Sequence, residues 1–68
     1  MPKKLLIQRV GGQGCIFEAE RHGDRLIIFD GCEIVECLNI SEIVVSSKGN
    51  IFYKGTDLDG YNLTYLEI

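Results

Sequence analysis

Short apolar runs separated by glycines set the rhythm of this chain. Glycine falls at positions 11, 12, 14, 23, 31, 49, 55 and 60, and the stretches between are rich in Ile, Val, Leu, Phe and Tyr. Turn signals about every 8–12 residues with β-branched runs between them are the signature of an all-β sandwich or barrel. The clearest alternation runs from Cys15 to His22, where Cys15, Phe17 and Ala19 are apolar and Glu18, Glu20 and His22 are polar. A period of two puts Phe17 and Ala19 in a core and both glutamates in water. Gly23-Asp24 then predicts a two-residue hairpin loop, the glycine supplying the positive φ that such turns require.

The next run, Arg25 to Asp30, is apolar at both parities through Leu26, Ile27, Ile28 and Phe29. That pattern predicts a strand central in a closed barrel or buried against a partner. Asp30-Gly31 marks the following turn. Glu33 to Ile40 is ambiguous: it reads as a strand, and a small α+β fold with a helix near 33–45 is the alternative. Asn39 to Glu42 is turn-prone, and Ser41 suits the cap of a single helical turn. Ile43 to Val45 resumes a strand, 47–50 turns it, and Ile51 to Tyr53 returns. Asp57 to Gly60 is the last turn and Tyr61 to Ile68 the last strand. The opening strand, Lys3 to Val10, and the second half of the last one are apolar on both faces. Strands of that kind need pairing, so the two are expected to lie near each other. The expected fold is all-β: a small antiparallel barrel or SH3-like partly open roll of five to seven short strands, one domain over residues 1–68.

Size sharpens the picture. A chain of 68 residues buries only about 60% of its unfolded surface, so disulfides, a metal or oligomerisation commonly supplement its core. Cys15, Cys32 and Cys37 cannot all pair within the chain. The start of the sequence has no apolar stretch of the roughly 7–15 residues that a secretory signal needs. Reduced thiols and a cytoplasmic setting are therefore expected. No run approaches the roughly 18 apolar residues of a membrane span. With staples not expected, self-association stands on equal footing with a monomer.

The net charge is −3, unevenly placed. Residues 1–25 hold five cations against three acids, whereas residues 26–68 hold seven acids against Lys48 and Lys54. The one basic cluster, Lys3, Lys4 and Arg9, is thin for a nucleic-acid binder, which needs a concentrated field to displace counterions. An acidic half suits a basic partner better, or simply a solvated surface.

Candidate chemistry is sparse. His22 is the single histidine, which removes most nucleophile–base pairings, and its parity turns it away from Cys15. Cys15 and Cys37 sit at apolar-patterned positions and read as core fillers. A zinc set would have to combine Cys15, His22, Cys32 and Cys37 at a spacing that matches no common site. Asp57, Asp59 and Gly60 resemble a piece of a calcium loop, but its first and twelfth positions would be Gly55 and Leu66. An aspartate turn bonding nearby amides explains the same residues. Gly11-Gly12-Gln13-Gly14 suggests a phosphate cradle, yet a strand rather than a helix N-terminus follows it. No catalytic residue, metal or cofactor is expected.

The aromatic positions point to recognition instead. If Phe52 faces inward, Tyr53 faces out, and Tyr61 and Tyr65 share one face of the last strand. Tyrosine is enriched at the centres of protein interfaces. The expected function is a non-enzymatic protein-binding or inhibitor-type module, by analogy with phage and mobile-element accessory proteins. Its partner surface would comprise Tyr53, Asp57, Asp59, Tyr61, Tyr65 and Glu67. The alternative is a self-assembling barrel that binds a small molecule or oligonucleotide between subunits, with Lys3, Lys4 and Arg9 lining the groove.

Overall fold

Each apolar run becomes a strand that turns back antiparallel on the one before it. The computed structural model describes residues 3–68. It has six strands: β1 (Lys3–Arg9), β2 (Ile16–His22), β3 (Arg25–Asp30), β4 (Glu33–Val45), β5 (Ile51–Thr56) and β6 (Asn62–Glu67). They form a meander that closes on itself, because β6 pairs with β1 through Ile7–Glu67, Gln8–Leu66 and Arg9–Tyr65. Backbone bonds from Val10 N to the Thr64 carbonyl and from Ile68 N to the Leu6 carbonyl extend that seam. The expected adjacency of first and last strands is observed, and of the two barrel forms the closed one is present. Two-residue loops join β2 to β3 at Gly23-Asp24 and β3 to β4 at Gly31-Cys32, with φ of 62° and 65° at the two glycines. A glycine at the first loop position is what the type II′ hairpin needs.

Residues 33–45 form neither a helix nor two strands with a turn between them. They make a single 13-residue strand that serves two neighbours in succession. Its first half, Glu33 to Asn39, pairs with β3, and its second half, Asn39 to Val45, pairs with β5. Two bulges accommodate the change of partner. Val35 is the extra residue opposite Ile28 and Phe29, and Ser41 the extra residue opposite Gly55 and Lys54. Ser41 therefore caps no helical turn; its hydroxyl donates to the Lys54 carbonyl at 3.2 Å and holds the bulge. Bulges bend a strand and re-aim its side chains, and here they carry β4 around the barrel.

Gly55 is what the bend packs onto. A Cβ built on Gly55 would lie 1.9 Å from the Asn39 carbonyl oxygen and 2.7 Å from its carbon. The backbone of β4 thus occupies the space that a side chain at 55 would need. Gly55 must face inward, and the two-residue period then turns Tyr53 and Ile51 inward with it. This reverses the expected parity of β5: Tyr53 is 2% exposed and belongs to the core, while Phe52 points outward and is half-buried. The strand also runs on through Gly55 to Thr56 instead of ending at Tyr53.

All six strands contribute to the core, which consists of Leu5, Ile7, Ala19, Leu26, Ile28, Leu38, Tyr53, Leu63 and Tyr65. Phe17, Ile40 and Ile51 pack against it from the ends. Phe17 and Ala19 occupy the predicted face of β2. The four fully enclosed aliphatics, Ile7, Leu26, Ile28 and Leu38, each contribute about 1.5–3 kcal/mol by leaving water. Cys15 and Cys37 are not core fillers. Cys15 is exposed ahead of β2, and Cys37 is half-buried opposite outward-facing Ile27.

The Gly55 contact makes a strong demand on sequence. Replacing Gly55 by Ala should destabilise the fold by about 3 kcal/mol or more, because backbone cannot yield as a flexible side chain does. Urea unfolding followed by circular dichroism measures this, and a loss below about 1 kcal/mol would contradict the crossing of β4 over β5.

Candidate functional site

A meander sends its odd-numbered turns to one end of the barrel and its even-numbered turns to the other. The β1–β2, β3–β4 and β5–β6 connections share one end, called here the loop end. Asp30, Glu33, Glu36, Asp57 and Asp59 all belong to that end, Arg9 is set among them at the close of β1, and exposed Lys54 stands nearby on β5, opposite Thr64. Lys3, Lys4, Arg21, Arg25 and Lys48 lie toward the opposite end. The charge asymmetry read along the sequence thus becomes an asymmetry between the two ends. The cations expected to share a groove are divided by it: five residues of β1, about 20 Å of extended chain, separate Lys3 from Arg9.

The β5–β6 loop is built by Asp57. Its Oδ1 accepts from the backbone N–H of Asp59 and of Tyr61, each at 2.9 Å, and its own N–H donates to the Tyr61 carbonyl at 3.0 Å. This is the aspartate turn that the sequence suggested. The β4–β5 loop repeats it with a serine: Ser46 Oγ accepts from Asn50 N at 3.1 Å, and Ser46 N donates to the Asn50 carbonyl. Asp57 is therefore occupied in holding the loop, while Leu58 and Tyr61 are presented outward, 80% and 70% exposed.

A recess of about 360 Å³ opens at this end, lined by Phe17, Ile28 and Val35 below and by Arg9, Gln13, Cys15, Glu36 and Tyr65 around it. Gly12 and Gly14 of the β1–β2 loop form one wall. That loop is tied down by the Gln8 side chain, whose Nε2 donates to the Gly14 carbonyl at 2.8 Å. Tyr65 is 4% exposed, with its ring in the core and its hydroxyl among the charges of the mouth. Burial, then the negative charge of Glu36, raises the Tyr65 hydroxyl above the usual phenol value, and Arg9 acts in the other direction. Glu36 is likewise raised, by burial first and the charge of Asp57 second, with Arg9 opposing and with Asp59 and a side-chain hydrogen bond to Asp57 adding. Glu36 was not singled out by the sequence. The bulge at Val35 turns it inward, and nothing in the run Cys32 to Leu38 announces a bulge.

The expected tyrosine surface is divided among different places. Tyr61 is exposed, but Tyr53 and Tyr65 are core residues, paired opposite each other across β5 and β6. Glu67 is half-buried toward the opposite end, where it accepts the Tyr53 hydroxyl proton at 2.6 Å. Burial and that carboxylate push Tyr53 up to about 12. The Arg21 guanidinium stands 5.9 Å from the centre of the Tyr53 ring. Asp57, Asp59, Tyr61 and the tip of Tyr65 remain together at the loop end; Tyr53 and Glu67 do not join them.

Two further features complete the surface. His22 lies exposed at its hairpin shoulder, as its position in the sequence suggested, with Nε2 3.0 Å from Glu20 Oε1. The outer wall is unusually apolar. One cross-strand row runs Leu6, Glu18, Phe29, Ile34, and a neighbouring one runs Val44, Phe52, Leu66, Gln8, Ile16. A cleft of about 500 Å³ lies over the first of these rows, between Lys4, Leu6, Glu18, Phe29 and Cys32. Among the described residues no group of three or more His, Cys, Asp or Glu is placed to hold a metal ion, and no helix is long and apolar enough to cross a membrane.

The raised Glu36 fixes a pH dependence. The folded state holds this proton to a higher pH than the unfolded chain does, so stability falls as pH rises from the ordinary glutamate value through the raised one. Glu36→Gln should therefore be more stable than the wild type at neutral pH, with the advantage fading toward about pH 4. Urea midpoints at the two pH values measure it; a wild type more stable than the variant at neutral pH would show that Glu36 gains rather than loses from its surroundings.

Comparison of the chain with protein families, with curated proteins and with solved structures finds no match.

Proposed function

We propose that this barrel is a non-enzymatic protein-binding module, of the inhibitor or adaptor kind, that engages a basic partner through its loop end. The observation that carries this reading is the Asp57–Tyr61 loop, pinned from within and holding Leu58 and Tyr61 out beside five carboxylates. A loop already ordered in the free protein spends little conformational entropy on binding. Exposed tyrosine supplies rigid contact area, and the surrounding negative field steers a positively charged partner. The placement of nucleophile and base supports a role without catalysis. His22 sits at the opposite end from Cys15 and Cys32, and Cys37 pairs with Ile27, two residues along β3 from the Arg25 that faces His22. Three free thiols support a reducing compartment, the cytoplasm being the simplest.

A peptide display library selected on the immobilised protein tests the reading. Lysine- and arginine-rich sequences should be enriched, and the double variant Leu58→Ser, Tyr61→Ser should lose at least about tenfold in affinity for them. Enrichment of acidic or purely apolar peptides, or binding that survives the double variant, would overturn it. Asp59→Lys is the suitable charge reversal here, because Asp57 also holds the loop.

The apolar outer wall supports a second reading, self-association. Leu6, Phe29 and Ile34 form a cross-strand row interrupted only by Glu18. Burying such a row between two copies removes apolar area from water in the way dimer interfaces do. Light scattering should then give a dimer or larger assembly that Leu6→Glu returns to the monomer. A 7.6 kDa species at all concentrations would dispose of this second reading.

A further inference from the structure

The recess at the loop end holds a combination that its role in the fold does not use. Tyr65 is 4% exposed and lines the recess, yet among the described residues its hydroxyl has no side-chain hydrogen-bond partner. Among the described residues no wholly enclosed side-chain polar atom lacks a partner, so this unpartnered hydroxyl is in contact with solvent. Glu36 on β4 and Arg9 on β1 line the recess beside it, and Asp57 and Asp59 of the β5–β6 loop add negative charge from beyond the lining, Asp57 acting on both Tyr65 and Glu36 and Asp59 on Glu36. Below them the floor is Phe17, Ile28 and Val35.

We propose that this mouth binds a primary ammonium group carried on an aliphatic stem, the side chain of a lysine on a protein partner. This rests on the proposed function and specifies what the loop end recognises. An ammonium offers three donors and no acceptor. The Glu36 carboxylate and the Tyr65 hydroxyl oxygen are acceptors that converge on the recess, and Asp57 and Asp59 supply negative potential behind them. The methylene stem meets Phe17 and Val35, whose apolar surface suits a lysine chain lying along it. A recess of about 360 Å³ is roomy enough for four methylenes and a nitrogen. A carboxylate or phosphate is disfavoured, because it would face the same three acids with only Arg9 to pair. Arg9 itself leaves the mouth net negative and opposes the incoming cation, which gives the proposal a signature of its own.

The probe is n-butylammonium chloride, titrated into the ¹⁵N-labelled full chain and followed by backbone amide shifts, with n-butanol and sodium chloride as controls. Saturable shifts are expected at Gly12, Gly14, Phe17, Val35 and Tyr65 in the millimolar range, and with neither control. Glu36→Gln should weaken binding about fivefold, and Tyr65→Phe should weaken it with the fold intact. Arg9→Gln should tighten it severalfold, a gain that loss of structure would not produce. Shifts that rise linearly without saturation, equal shifts with n-butanol, or an affinity indifferent to both Glu36→Gln and Arg9→Gln would overturn the proposal. Should butylammonium fail while selected peptides still depend on Leu58 and Tyr61, the lysine pocket falls and the binding module stands. The reverse pattern would keep the pocket and remove the loop surface.

Discussion

The crossing of β4 over Gly55 is the constraint from which the other arrangements follow. In this six-stranded barrel one strand leaves its first neighbour and joins the next. β4 does this at Asn39, paired with Arg25 on one side and Thr56 on the other. The bend brings the Asn39 carbonyl against the backbone of β5, and glycine is the residue that leaves room for it. Once position 55 faces inward, the parity of β5 is settled, and β6 inherits it through the pairing of Tyr53 with Tyr65 and Gly55 with Leu63. Two tyrosines are thereby committed to the core. Their hydroxyls must then emerge at the ends, Tyr53 onto Glu67 and Tyr65 into the loop-end recess.

The same constraint explains which parts of this structure were legible in the sequence. The all-β class, the hairpin at Gly23-Asp24, the core face of β2 and the adjacency of the first and last strands follow from local signals: glycine in the turns, alternation of period two, and apolar ends that need partners. What failed was parity in runs with no alternation to read. Ile51, Phe52 and Tyr53 are all apolar, so their sequence is compatible with either face inward. The deciding fact is a contact between Gly55 and Asn39, residues sixteen apart that meet only in the barrel. Residues 33–45 misled in a related way. Asn39 to Glu42 carries turn-forming residues, and the chain does deviate there, but as a bulge within a continuous strand. A bulge and a turn share their local chemistry, and long-range pairing chooses between them. Glu36 became visible as a site residue only once the bulge at Val35 had set its direction.

Charge was legible along the chain but not its meaning. Acids concentrated after residue 26 do not by themselves make an acidic surface. They do so here because a meander returns Asp30, Glu33, Asp57 and Asp59 to one end through alternate turns. Topology converts an uneven sequence into a polar molecule, with Lys3, Lys4, Arg21 and Arg25 gathered near the other end. Such a charge distribution orients approach to a charged partner before contact, and the orientation weakens as salt shortens the range of the field.

On the proposed reading, the loop end also reconciles rigidity with binding. A chain of this size has little stability to spare, and loops are where it is least held. Here the residues that would recognise a partner are anchored by the core or by short backbone bonds. Tyr65 is fixed by its ring, so its hydroxyl is presented without loss of side-chain freedom. Asp57 orders the loop that carries Leu58 and Tyr61, and Gln8 ties the glycine-rich β1–β2 loop from beneath. Each recognition element thus shares a residue with the element that stabilises it. The cost falls on Glu36, held among acids with its ionised form disfavoured. Glu36, at an open mouth among other acids, is the group whose ionised form a bound cation would favour.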